Sequence, residues 1–225
     1  MLTSAIGDLL PLAAAVALSP VPIIAVILML GTPKARTNGP AFAVGWVAGL
    51  AVVSTIVFLV SGGADDADSA TSSGVDWLQL LLGLLFLVMA ARQWKKRPAE
   101  GEEAVLPDWM ASVDHFTAGK SLGLGLALSA ANPKNLALTA AAAASIAQAG
   151  LTGEDDVVAI VAFVVLGSLT VVGSVLVYVV APDRAAGPLA SIKAFMTIHN
   201  AVIMMVVLLL LGAKLIGTGL AGTTN

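Results

Sequence analysis

Ala201-Val202-Ile203-Met204-Met205-Val206-Val207-Leu208-Leu209-Leu210-Leu211 is a run of eleven apolar residues with no polar position. A strand of an outer-membrane barrel alternates apolar and polar residues over about 10 positions. A surface helix of a soluble domain keeps one polar side. This run does neither, so it reads as a helix set among other helices and hydrocarbon. The rest of the chain agrees. Of its 225 residues, 58% are hydrophobic and 11% charged, where soluble domains average about 45–50% and about 25%. Mean hydropathy is +0.97. These values exclude an ordinary soluble enzyme, and also a disordered chain, which needs low hydrophobicity and high net charge. The expected fold class is an all-α integral membrane protein.

Six apolar stretches are long enough to cross a hydrocarbon core that needs about 20 helical residues. They lie near 7–30, 39–61, 76–94, 119–149, 156–181 and 190–217. The first is not a cleavable signal, since it has no Lys or Arg ahead of it and carries Asp8. Charge orients the set. Lys34 and Arg36 sit in the first loop; Arg92, Lys95, Lys96, Arg97 and Lys120 flank the third; Arg184 and Lys193 flank the fifth. The second loop has Asp65, Asp66, Asp68 and Asp76, and the fourth has Glu154, Asp155 and Asp156, with no basic residue in either. Nine of the eleven basic residues thus fall on odd-numbered loops. The positive-inside rule places those loops in the cytoplasm and both termini outside the inner (plasma) membrane.

The third loop, about Gln93–Thr117, with Lys95-Lys96-Arg97-Pro98 and Glu100, Glu102 and Glu103, reads as a flexible charged linker. The organisation that follows is a first three-helix repeat over 1–94, a linker over 95–118 and a second three-helix repeat over 119–225. Three is odd, so a duplicated three-span unit must lie inverted in the membrane. Leu18-Ser19-Pro20-Val21-Pro22 in the first span echoes Leu128-Ser129-Ala130-Ala131-Asn132-Pro133 in the fourth. Each is followed by a span with spaced glycines, Gly45 and Gly49 or Gly167 and Gly173. Proline removes a backbone donor and displaces the carbonyl four residues back. Matched helix breaks in inverted halves mark a binding site at the repeat interface.

Asn132-Pro133-Lys134-Asn135 is the sharpest feature. Lys134 lies roughly 20 Å along its span at about 1.5 Å per residue, and a helix-centre lysine costs at least about 2.5–3.5 kcal/mol to insert. No Asp or Glu lies in the centre of any span. The expected contacts of Lys134 are the amide oxygens of Asn132 and Asn135, carbonyls freed by Pro20, Pro22 or Pro133, and a polar or anionic substrate; snorkelling to the outer interface is the alternative. His199, after Thr197 in the sixth span, suits proton relay, head-group binding or simple packing. Ala140–Ala144 and Gly45/Gly49 suit close helix packing. Ser54, Thr55, Ser168, Thr170, Ser174 and Tyr178 suit local bonds to helix carbonyls.

Several chemistries are absent. No cysteine and only His115 and His199 leave no thiolate or histidine-built metal centre, and a net charge of −3 gives no nucleic-acid signature. Gly123-Leu124-Gly125 lacks the third glycine of a dinucleotide loop, no phosphate loop occurs, and the acidic loop lacks calcium-ligand spacing. Ser129 or Ser168 with His199 has no nucleophile-elbow setting. No enzyme activity and no cofactor are expected.

The stretch from Leu18 to Gly49, through Ser19-Pro20-Val21-Pro22, Gly31-Thr32-Pro33-Lys34-Ala35-Arg36 and Gly45-Trp46-Val47-Ala48-Gly49, resembles the GAP family of glycolipid- or sulfolipid-addressing (Sap-like) proteins of the lysine-exporter (LysE) superfamily. Asn132-Pro133-Lys134-Asn135 is similar to that family's second-half motif. The resemblance implies a LysE-like fold of six transmembrane helices in two inverted three-helix repeats, and a part in moving envelope glycolipids outward.

The resulting expectation is a secondary transporter or flippase for envelope glycolipids or their precursors. Lys134, Asn132, Asn135 and His199 would contact substrate, and Pro20, Pro22 and Pro133 would shape broken, gating helices. Its partners are the membrane and a lipid or polar, anionic small molecule, with proton coupling and a homodimer compatible with it. The rivals are a LysE-type exporter of amino acids or other small solutes, and an accessory subunit of a lipid-export complex. A lateral opening lined by Leu and Val would favour lipid.

Overall fold

The computed structural model describes residues 1–62, 72–95, 97 and 108–222, and among them every regular element is helical. Asp65, Asp66 and Asp68 of the acidic loop, the side chain of Asp76, and Lys96, Pro98, Glu100, Glu102 and Glu103 of the linker lie outside the described residues.

The first apolar stretch folds as two helices, α1 (Leu2–Ala17) and α2 (Pro20–Leu30), bent by 53°. The bend follows from Pro20. It has no N–H to offer the Val16 carbonyl, so the Ser19 N–H turns to Val16 O at 3.1 Å instead. The fourth stretch is also broken ahead of a proline, here through a wider turn. α5 (Ala118–Leu126) runs into a π turn (Ala127–Ala131), and α6 (Pro133–Gln148) starts on a proline. Ser19 (φ −70°, ψ 111°) and Asn132 (φ −70°, ψ 119°) are extended residues of nearly identical conformation, each ahead of a helix-starting proline.

α3 (Ala35–Val60), α4 (Ser72–Lys95), α7 (Glu154–Val180) and α8 (Pro182–Gly222) are continuous. α8 begins eight residues before the expected span, because Pro182 starts a helix as readily as it ends one. By length and apolarity α3, α7 and α8 can each cross a membrane, and the bent α1–α2 pair makes a fourth crossing if it is one span. The break leaves α5 and α6 with 9 and 16 residues, each short of the roughly 20 that a crossing needs. The linker is not uniformly loose. Asp108–His115 forms a 3₁₀ segment against α2, with Met110 and Val113 buried.

Polar side chains such as Ser54, Ser129 and Ser168 turn inward, and large apolar ones both fill the core and cover the outside. Val52 and Ile56 on α3, Val161 and Leu169 on α7, and Ile198 and Leu210 on α8 are all more than half exposed. Apolar surface on this scale needs hydrocarbon around it, so this is a membrane protein. The core is centred on Phe42, Trp46, Leu50, Phe86, Leu138 and Phe163.

Small residues set the helix pairs. A Cβ added at Gly125 of α5 would lie 2.9 Å from the Trp46 amide nitrogen and closer still to the Phe42 carbonyl oxygen. One added at Gly45 or Gly49 of α3 would run into the Leu122 carbonyl or the Ser129 hydroxyl. α3 and α5 are therefore in backbone contact, as expected of Gly45 and Gly49. Gly83 and Gly212 do the same for α4 and α8. Across the sequence midpoint, α1 packs on α6 and α7, α3 on α5, α6 and α7, and α4 chiefly on α8. The two halves interlock.

Candidate functional site

Each helix break leaves carbonyls without a backbone donor. Because the Ser19 N–H has moved to Val16 O, Ala15 O has none. Because the Asn132 N–H reaches back five residues to Ala127 O (3.1 Å), and Pro133 has no N–H, Leu128 O has none either. Unpaired carbonyls in a membrane interior must find partners in the protein. Both do, and the partners come from consecutive residues. Lys134 Nζ donates to Ala15 O at 3.0 Å. Asn135 Nδ2 donates to Leu128 O at 2.8 Å.

Ser19 ties the two breaks together. A serine at this helix-start position ordinarily caps the backbone N–H of the second or third helical residue. Here the third is Pro22, which has none, and the Ser19 hydroxyl makes no cap bond. It accepts from Lys134 Nζ at 2.5 Å and donates to Asn135 Oδ1 at 2.9 Å. A hydroxyl has one proton, so the 2.9 Å bond takes it in preference to Ala15 O at 3.4 Å. The third ammonium donor points to Met204 Sδ of α8 at 3.6 Å. A further carbonyl at the break, Ala17 O, accepts from Thr170 Oγ1 of α7 at 2.5 Å.

The Lys134 side chain is thus engaged at all three N–H positions, yet only by neutral groups: a carbonyl, a hydroxyl and a thioether. Lys134, Ser19 and Asn135 are 5%, 3% and 1% exposed. Lys134 does not snorkel. An ammonium buried away from water is costly unless paired, and none of these acceptors carries charge.

The structure joins two of the expected site residues to one that was not singled out. Lys134 and Asn135 meet at Ser19, while Asn132 acts differently from the expectation. Its Oδ1 accepts the Lys134 backbone N–H at 3.1 Å, capping α6, and does not reach the ammonium. Asn135 reaches the ammonium only through Ser19. Pro20, Pro22 and Pro133 act by lacking donors. His199 stands apart, exposed and against the Phe195 ring at 4.6 Å between centroids, with no bond to the cluster. Thr170 bonds across to α1 and not within its own helix, whereas Ser174 bonds locally to Thr170 O. The Ser54, Thr139 and Ser168 hydroxyls are buried without a partner among the described residues. Ser19 and Pro22 could have been found together, since a proline at the third helical position frees the preceding cap hydroxyl. Thr170 and Met204 carry no such signal.

Two cavities flank the cluster, and it lines neither. One, of about 330 Å³, lies between α2, the 3₁₀ segment and the α7–α8 corner, with Asp114, Tyr178 and Lys193 in its wall. The other, of about 1000 Å³, is a cleft between α3 and α7 under the α6–α7 turn, walled by residues such as Phe58, Ile160 and Val164. They sit toward opposite ends of α7, Tyr178 lining the first and Asp156–Val165 the second.

A family model described as Sap, sulfolipid-1-addressing protein, matches residues 9–221, nearly the whole chain. No curated relative and no solved structure matches. The chain belongs to the sulfolipid-1-addressing family.

Proposed function

We propose that this member of the sulfolipid-1-addressing family is a plasma-membrane carrier that moves envelope glycolipids, or their precursors, toward the cell surface. In this reading the chain crosses six times as two inverted three-helix halves of LysE type, with both termini outside. The α1–α2 and α5–α6 pairs are the matched broken helices, and the halves rock about them in alternating access. The work is binding and translocation, without catalysis or cofactor.

The observation that carries the reading is the Lys134 ammonium, held at the junction of both breaks by neutral acceptors alone. For stability alone, an apolar side chain of similar size serves such a position as well or better. A polar or anionic head group reaching the junction when the halves part meets a preorganised cation, with Ser19 and Asn135 beside it. Asn132 holds the helix start that aims Lys134. His199, away from the junction, has no part in this step. The family description supplies the lipid class.

The test is transfer of a fluorescent glycolipid across proteoliposomes holding the purified chain. Wild-type protein carries it, and Lys134→Met, equally folded and inserted, does not. Full activity in Lys134→Met overturns the site. No glycolipid transfer by wild-type protein that exports amino acids, or carries nothing, overturns the function.

A further inference from the structure

The cleft between α3 and α7 has an arrangement that the Lys134 junction does not explain. It extends along α3 from Val47 to Leu59, about 18 Å at 1.5 Å per residue. One leaflet of a hydrocarbon core about 30 Å thick is roughly 15 Å deep, so the cleft is longer than a leaflet. Its mouth opens between Leu59, Val157, Val161 and Val165, all more than half exposed and facing hydrocarbon. Pockets for small polar solutes surround the ligand with convergent polar groups. Here the walls are apolar apart from Thr55, and polar groups gather at one end, where Thr152 and Asp156 lie beside the α6–α7 turn. An apolar trough open to the bilayer with a polar cap at one end has the form of a lipid.

Asp156 says which lipid. It is 8% exposed, lines the cleft, and makes no hydrogen bond or ion pair among the described residues. It sits in the first turn of α7, where the helix's positive end favours a negative charge. Its oxygens face the cleft and are not sealed from it, so they take their donors from water or from whatever enters the cleft in place of water. Glu154 and Asp155 precede it in the same turn, and together the three repel a phosphate or sulfate. Sugar hydroxyls are uncharged donors that suit a carboxylate acceptor.

We infer that the α3–α7 cleft seats the acyl chain of a sugar-headed lipid in the outer leaflet, with head-group hydroxyls donating to Asp156. The cleft is a second site, distinct from the Lys134 junction. Its placement in the outer leaflet rests on the orientation proposed above. It is a binding site, so it can be tested without transport.

The probe is a monoglucosyl diacylglycerol carrying a photoreactive diazirine in its tail, incorporated with the full-length protein in phosphatidylcholine nanodiscs. Cross-linked peptides are mapped by mass spectrometry. Cross-links are expected on α3 and α7 inside the cleft, at least fivefold above those from a phosphatidylglycerol probe with the same tails. Val161→Trp, which fills the cleft from an exposed position, lowers them at least fivefold. Val158→Trp, on the exposed surface of α7 outside the cleft, does not. Asp156→Leu keeps tail cross-links and removes the preference between head groups. Cross-links indifferent to Val161→Trp, equal labelling by phosphatidylglycerol, or a second copy of the chain found in the cleft overturns the assignment. A transport-dead protein that still shows the expected pattern overturns the carrier function and leaves the cleft standing.

Discussion

Lys134 Nζ donates to Ser19 Oγ over 2.5 Å, joining two helix breaks through residues 115 apart in sequence. The same hydroxyl donates its own proton to Asn135 Oδ1, and Lys134 and Asn135 each fill a carbonyl that a break exposes, Ala15 O and Leu128 O. The junction is therefore a single network, and removing one member leaves the others unpaired.

Ser19→Ala takes away both the acceptor of Lys134 and the donor to Asn135. It is expected to destabilise the protein by about 1–3 kcal/mol, the usual cost of leaving buried polar groups unsatisfied. Lys134→Met should cost less, because losing the buried ammonium offsets the unpaired Ala15 carbonyl. The double variant should fall short of the sum by about 0.5–3 kcal/mol, as for residues in one network. Thermal unfolding of the detergent-purified variants measures all three, and strict additivity would show that the network is not energetically joined.

Pro20→Ala restores an N–H that can bond Val16 O, which frees the Ser19 N–H to return to Ala15 O. The 53° bend between α1 and α2 should relax. Lys134 then loses its carbonyl acceptor, so transport should fall with little loss of folded protein. Distances between spin labels placed at positions 10 and 27 report the bend, and an unchanged distance refutes the donor argument.

Two neighbouring glycines of α5 should behave oppositely. Gly125→Ala forces a methyl into the α3 backbone at Phe42 and Trp46, so monodisperse protein should be lost. Gly123 has nothing within 4 Å of an added Cβ, and Gly123→Ala should stabilise by up to about 1 kcal/mol through helix propensity. Gel-filtration profiles and melting temperatures of the two variants decide it.

The chain has no cysteine, so single cysteines report topology without background. Thr152→Cys in the α6–α7 turn should react with an impermeant maleimide on intact cells. Ala186→Cys, at the start of α8 near Arg184, should react only after permeabilisation. The reverse pattern inverts the orientation read from the loop charges.

Much of the fold was legible because a membrane interior tolerates few polar groups. Runs such as Ala201–Leu211 admit only a helix, and the residues that violate the rule, Lys134 foremost, stand out for that reason. The prolines announced the breaks. The bends and the π turn were not legible, since they depend on which carbonyl each remaining N–H chooses. The exchange of roles between Asn132, read as a ligand of the ammonium, and Ser19, read only as part of a motif, arose the same way. A side chain's reach is set by the helix opposite it, not by its neighbours in sequence.

The sequence by itself determined an all-helical membrane protein, its charge asymmetry, the positions of the broken helices and the one costly lysine. Those follow from hydrophobic transfer and from proline's missing donor, which act residue by residue. Only the tertiary structure decided that Lys134 turns to Ala15 and Ser19, that α4 lies on α8, and that α3 and α7 part to leave a cleft capped by Asp156. Those depend on how closely two backbones can approach. At Gly45, Gly49 and Gly125 that is set by the absence of a Cβ on one helix meeting a carbonyl, an amide or a hydroxyl on another.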